Sequence, residues 1–91
     1  MNTTRTADQA LETSAQLIET IASRIPAAKV RTDIRGQQSL SISKGSLLTT
    51  IRPEVGGVRV VRWIDYGVDG RNLCDARTFR SAAGAIKFAT A

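Results

Sequence analysis

The side chains best suited to bind a partner in this chain are its arginines and its single tryptophan. Ten of the 13 Lys and Arg residues are Arg, against eight Asp and Glu, and the formal net charge is +5. A guanidinium donates hydrogen bonds in a planar fork that matches phosphate and carboxylate groups. Trp63 supplies an indole face, on which a nucleobase can stack. These residue types favour an anionic partner, although a basic surface can also serve solubility alone.

Residues that could perform catalysis or bind a metal are sparse. The chain has no His and one Cys, Cys74, so zinc cages and Ser-His-Asp or Cys-His arrangements lack essential members. Asp65, Asp69 and Asp75 lie close in sequence, but their spacing is not that of a calcium-binding loop. A turn at Asp69 and a helix cap at Asp75 explain two of them without a metal. We therefore expect no catalytic residue, no metal and no cofactor, and we interpret Cys74, just before the predicted helix, as a buried structural thiol.

Two groups of residues are candidates for the binding surface. The first group alternates with the apolar residues of predicted strands and comprises Lys29, Arg31, Arg35, Arg52, Arg59 and Trp63. On one sheet face, cations would contact phosphates while a base stacks on the indole. The second group is a stripe on a predicted C-terminal helix and comprises Arg77, Arg80 and Lys87. Such a stripe could lie along a phosphate backbone, or it could be an ordinary solvated helix face.

Residues 58–66 form the longest strand-like run, and they decide where Trp63 points. The run is rich in Val, Ile and aromatic residues and is bounded by glycines. In a regular strand the even-numbered residues share one face, which places Arg62 on the apolar side at a desolvation cost. A bulge at residues 60–61 would instead send Arg62 outward and turn Trp63 inward. We expect the regular strand, with Trp63 beside the arginines.

The remaining elements follow from hydrophobic periodicity. A capping box at residues 6–9 and apolar residues at helical spacing predict a helix that ends near Arg24. Alternation then predicts strands over residues 29–35, 39–43 and 46–52, with Ile34 among the inward residues, and a short return strand is indicated at 71–74. A second helix is predicted from about residue 76, capped by Asp75 or Thr78.

The pattern predicts an α+β fold with two layers. Alternating strands indicate a sheet that is covered on one face only, and sequential strands joined by short turns usually pair as neighbours. We therefore expect a four-stranded antiparallel sheet with both helices packed on one face, in the order α-β-β-β-β-α. Residues 1–5 are predicted to be a flexible tail, and residues 6–91 a single domain.

These features favour a small, non-catalytic, basic binding protein that engages nucleic acid, or an acidic or nucleoprotein complex that handles it, through an Arg-rich surface. The alternative is a phage or mobile-element inhibitor of the anti-CRISPR or antirestriction type, which would act by occluding a host protein surface; this rests on size and the lack of motifs. No apolar run approaches the roughly 20 residues of a membrane span, so we expect a cytoplasmic protein without a membrane partner. The sheet edges also suggest a homodimer, because edge pairing hides unpaired backbone groups.

Overall fold

The computed structural model describes residues 7–91, with side chains from Ser14 onward. It shows an α+β fold with an antiparallel sheet, one helix before the sheet and one after it. The elements are α1 (Ala7–Arg24), β1 (Lys29–Thr32), β2 (Gln38–Lys44), β3 (Leu47–Glu54), β4 (Gly57–Asp65), a 3-10 turn (Gly67–Asp69), β5 (Arg71–Phe79) and α2 (Ala82–Ala89). The predicted tail at residues 1–5 and the predicted cap at Thr6 lie outside the described residues.

The sheet is a simple meander in which each strand pairs with the next, in the order β1-β2-β3-β4-β5. The predicted class and strand direction are therefore confirmed, but the predicted number of strands is wrong: there are five, not four. The fifth strand is the return strand after Asp69-Gly70, and it is much longer than the sequence suggested. It extends over Arg71–Phe79 because all but one of its residues find partners along β4.

One hydrophobic cluster joins both helices to the sheet. Its members from the sheet are Leu40, Ile51, Val58 and Val60, and Leu40, Ile51 and Val60 lie side by side in the register of β2, β3 and β4. The helices contribute Ile18, Ile21, Ala85 and Ala89, and Ile25 joins the cluster from the residue just after α1. We call the sheet face that carries these residues the core face, and the opposite face the outer face. Because side chains alternate along a strand, the intervening residues lie on the outer face.

Strand β1 ends three residues earlier than predicted, because Asp33 begins a turn. The Asp33 carboxylate oxygen Oδ1 accepts hydrogen bonds from the backbone N–H groups of Arg35 and Gln37, at 2.8 and 2.9 Å. Asp side chains commonly form such turns with their own backbone. Ile34, predicted to point inward, is therefore fully exposed at the tip of the turn.

The predicted start of the second helix at about residue 76 is also wrong. Residues 75–79 belong to β5, where Asp75 pairs with Arg62 and Phe79 with Val58. Helix α2 begins at Ala82, and the side chain of Ser81, not Asp75 or Thr78, caps it by accepting a hydrogen bond from the N–H of Gly84 at 3.2 Å. Strand pairing with β4 thus overrides the local helical pattern of this segment.

Strand β4 pairs regularly with β3 from Gly57 to Ile64, so there is no bulge at residues 60–61. The irregularity lies on the other side, where Arg62 pairs with Asp75 and Trp63 with Leu73, leaving Cys74 as the extra residue in β5. The predicted burial of Cys74 is wrong: it lies within the edge strand, where its side chain is exposed. Trp63 consequently lies on the outer face and Arg62 on the core face, as the regular strand predicts.

Candidate nucleic-acid interface

The outer face is organised in rows that run across the strands. The first row starts at Arg31 of β1, which pairs with Ser39 of β2. Arg52 of β3 lines the same grooves as Ser39 and pairs with Arg59 of β4. We call Arg31, Arg52 and Arg59 the arginine row. All three side chains are exposed, and three strand spacings of roughly 4.8 Å give the row a length of about 14 Å.

Arg52 and Arg59 lie directly opposite each other on β3 and β4. Like charges in this arrangement destabilise a strand pair. Among the residues that the structure describes, the one ion pair joins Arg71 and Asp65, so no described carboxylate neutralises Arg52 or Arg59. A bound anion would relieve their repulsion, and this makes Arg52 and Arg59 the strongest candidates for an anion site on the outer face.

Two acidic side chains line the groove of about 320 Å³ beside this pair, but both have other partners. Asp33 is held by the backbone of its turn. The Glu54 oxygen Oε2 accepts a hydrogen bond from the Thr78 hydroxyl at 2.8 Å. The acids therefore sit at the rim of the row without forming an ion pair with its guanidinium groups.

The second row is short and polar. Lys29 of β1 pairs with Ser41, Ser41 pairs with Thr50, and Thr50 pairs with Val61. These residues, apart from Val61, line a groove of about 410 Å³ that also includes Arg31, Arg52 and Trp63. An ammonium group and two hydroxyls next to the arginine row offer a sugar-phosphate chain several hydrogen-bonding groups.

Trp63 occupies the third row, where it pairs with Leu48 of β3 and Leu73 of β5. Its indole Nε1 donates to the Thr50 hydroxyl at 3.5 Å, a long hydrogen bond. Leu48 and Val61 are only 8% and 9% exposed although they belong to the outer face, and Trp63 is their large neighbour. The indole thus covers an apolar patch on one side, while the half-buried ring keeps part of its surface open to solvent.

Arg71 is a cation of the outer face that was not among the predicted binding residues. Its Nε lies 3.5 Å from Oδ2 of Asp65, its partner in the β4 and β5 register. The sequence did contain a signal for this pairing. Asp69-Gly70 predicted a turn, and a return strand that begins at residue 71 places Arg71 opposite Asp65. Because Arg71 is paired, it contributes less to an anion site than the arginine row does.

The predicted residues do not all come together. Lys29, Arg31, Arg52, Arg59 and Trp63 share the outer face. Arg35 does not, because the turn carries it toward α1, where it lines a groove with Glu19.

The predicted stripe of Arg77, Arg80 and Lys87 is not a helix stripe. Arg77 lies on the core face of β5, Arg80 lies in the connection to α2, and Lys87 alone is on the helix. The guanidinium of Arg77 is 5.6 Å from the centre of the Phe88 ring. The stripe was an artefact of placing the start of the helix about six residues too early.

Arg62 is a second cation on the core face. Its guanidinium lies 5.6 Å from the Phe88 ring, and its Nη2 donates to the carbonyl oxygen of Ala91 at 3.3 Å. Its Nε is buried and has no hydrogen-bond partner within the described part of the chain. A cation over an aromatic face offsets part of the desolvation cost that the sequence indicated for this position.

The sequence matches no protein-family model, and no curated protein or solved structure shows significant similarity to it. Among the described residues, no helix is long and apolar enough to cross a membrane. Within the same part of the chain, no three Cys, Asp or Glu side chains are grouped so that they could hold a metal ion.

Proposed function

We propose that this protein is a non-catalytic binding protein that holds single-stranded nucleic acid across the outer face. The observation that carries the proposal is the arginine row, in which Arg52 and Arg59 oppose each other without a carboxylate partner among the described residues. Backbone phosphates would contact the row, and one unpaired base would stack on Trp63. A single strand is proposed because stacking on a side chain requires a base that is free of its complement.

The proposal requires an outer face that the helices leave open, with both helices on the core face. Support comes from the hydrophobic cluster, in which residues of both helices belong to one core with four sheet residues. Further support comes from the grooves of the outer face, whose linings contain residues of the strands and turns but none of the helices.

The spacing of the groups suits an extended chain. Arg59 and Trp63 are four residues apart on the same face of β4, which is about 13 Å at roughly 3.3 Å per residue. Lys29, Ser41 and Thr50 lie in the row between them. A single strand that follows the arginine row to Arg59 and then runs along β4 would place its phosphates on the row and a base at Trp63, with the Thr50 hydroxyl beside its path.

Titration of labelled single-stranded DNA and RNA at two salt concentrations tests this proposal. Each phosphate contact contributes about −0.7 to the salt slope for single strands, so three contacts give a slope of about −2. Raising the salt from about 50 to 200 mM should then weaken binding roughly 20-fold. Absence of binding at the lower salt, or binding that ignores salt, would contradict the proposal.

A protein partner is the second candidate, and one observation favours it. Ile34 and Val55 are exposed apolar residues in the β1-β2 and β3-β4 turns, at the end of the sheet where the arginine row lies. Arginine flanked by exposed apolar groups is typical of protein interfaces. The protein would then be an inhibitor of the phage or mobile-element type that covers an acidic surface of a nucleic-acid-handling host protein. A stoichiometric partner that remains bound in a host-lysate pull-down after nuclease treatment would support this function over the first.

A further inference from the structure

We propose that two copies of this chain pair edge to edge through β5, in antiparallel register centred on Ala76, to form a continuous ten-stranded sheet. The proposal is independent of the proposed function. Strand β5 is the last strand of the sheet and pairs only with β4, so its other edge has no strand partner among residues 7–91. Its nine residues are mostly exposed, and a long open edge is a template for pairing with another strand.

Charge complementarity selects the register. In a two-fold antiparallel pair centred on Ala76, Asp75 lies opposite Arg77 of the second copy, and Arg77 lies opposite its Asp75. Both side chains are on the core face, because Asp75 pairs with Arg62 and Arg77 with Val60 in the β4 register. Opposite charges directly across a strand pair are stabilising. The symmetry therefore creates two matched ion pairs, with the small side chain of Ala76 at the axis.

Both charged side chains are exposed at the edge of the sheet. The Arg77 guanidinium lies 5.6 Å from the centre of the Phe88 ring, and neither Asp75 nor Arg77 forms an ion pair in the part of the chain that the structure describes. Arg62, the register partner of Asp75, is turned to Phe88 and Ala91 instead. The Asp75 carboxylate would therefore lie opposite a cation in the dimer, where that cation is Arg77 of the second copy.

The opposite edge of the sheet agrees with this choice. Strand β1, at the other edge, carries Lys29 and Arg31 and no acidic residue. Two copies paired through β1 would bring cations together without a carboxylate, so β5 is the edge suited to a second copy.

The dimer would place both basic surfaces on one side. The two-fold axis of an antiparallel strand pair is perpendicular to the sheet, so it leaves each outer face on the same side of the assembly. Two arginine rows would then face one partner, which raises the apparent affinity for any ligand long enough to reach both.

A charge swap tests the pairing without any ligand. The chain mass is 9.8 kDa, and sedimentation should show the wild type at twice that mass at about 100 μM. Asp75→Arg and Arg77→Asp should each raise the dimer dissociation constant about tenfold or more, because each places like charges opposite each other at both symmetry-related contacts.

The double variant D75R/R77D should restore dimerisation. A monomeric wild type, or a double variant no better than the single variants, would overturn the proposal. Thermal unfolding of each variant checks that it remains folded.

Cross-linking tests the register itself. Cys74 of one copy lies opposite Thr78 of the other in the proposed pair, within the range of distances that a disulfide spans. Thr78→Cys should therefore give a disulfide-linked dimer on mild oxidation. The wild type should not, because the two Cys74 residues would be offset by four positions, about 13 Å. Thr90→Cys, exposed at the end of α2, is the control. If Thr78→Cys cross-links no faster than this control, the register is wrong.

Discussion

Arg62 and Trp63 are adjacent in sequence and lie on opposite faces of β4. Their alternation predicted this arrangement, and the regular pairing of β3 with β4 produces it. The sequence could not show what stabilises Arg62, because the Phe88 ring reaches it only when α2 begins at Ala82. Nor did it show that Leu48, on the outer face of β3, would be almost fully buried beside Trp63. Both facts depend on contacts between distant parts of the chain.

The stacking role of Trp63 can be separated from its role as a cover for Leu48. Trp63→Leu keeps an apolar side chain over the patch but removes the aromatic face, so we expect oligonucleotide affinity to fall by about 5- to 30-fold, equivalent to roughly 1 to 2 kcal/mol. Fluorescence anisotropy of a labelled single strand at low salt measures the change. Tyr66→Leu, which replaces an exposed aromatic in the turn after β4, is the control. An equal loss in both variants would show that the Trp63 face is not the stacking surface.

At the scale of elements, the sequence located α1 and the middle strands well because their hydrophobic period is clear and their turns contain Gly or Asp. It failed between residues 75 and 81. There, Ala76, Phe79 and Ala82 fit a helical stripe, whereas pairing with β4 holds the segment extended as far as Phe79. The stability that a segment gains by pairing with a neighbouring strand cannot be inferred from its local sequence.

The start of α2 is tested by removing its cap. Ser81→Ala should destabilise the protein by about 1 kcal/mol, because the N–H of Gly84 loses its acceptor. Ser43→Ala, at an exposed position of β2, should change the free energy of unfolding by less than about 0.5 kcal/mol. Urea denaturation measures both. Equal effects would mean that Ser81 is not the cap.

The pairing of β4 with β5 depends on the absence of a side chain at Gly57. A Cβ at this position would lie 2.2 Å from the carbonyl oxygen of Phe79, which is backbone and cannot rotate away. Gly57→Ala should therefore force the two strands apart. Gly45→Ala is the comparison: Gly45 has a φ of +60° with open space around it, so only the left-handed penalty of about 1 to 2 kcal/mol applies. The Gly57 variant should lose clearly more stability in urea, and a smaller loss would contradict the close approach.

At the scale of the whole molecule, one core serves both helices and the sheet, so the protein should unfold in a single cooperative transition. Far-UV circular dichroism and Trp63 fluorescence should give the same midpoint. Ile51→Ala, at the fully buried centre of the cluster, should cost about 2 to 5 kcal/mol and lower both midpoints together. Ile34→Ala, fully exposed in its turn, should change stability by less than about 0.5 kcal/mol. Separate midpoints for the two probes would show that the elements do not share one core.

The most direct test of the arginine row is the salt slope of oligonucleotide binding in charge-matched variants. R52Q/R59Q and R24Q/R80Q remove the same charge, but only the first pair belongs to the row, since Arg24 ends α1 and Arg80 precedes α2. Each lost phosphate contact should reduce the slope by about 0.7. We expect a slope near −2 for the wild type and for R24Q/R80Q, and near −0.7 for R52Q/R59Q. Equal slopes in the two double variants would mean that net charge, and not the arginine row, determines binding.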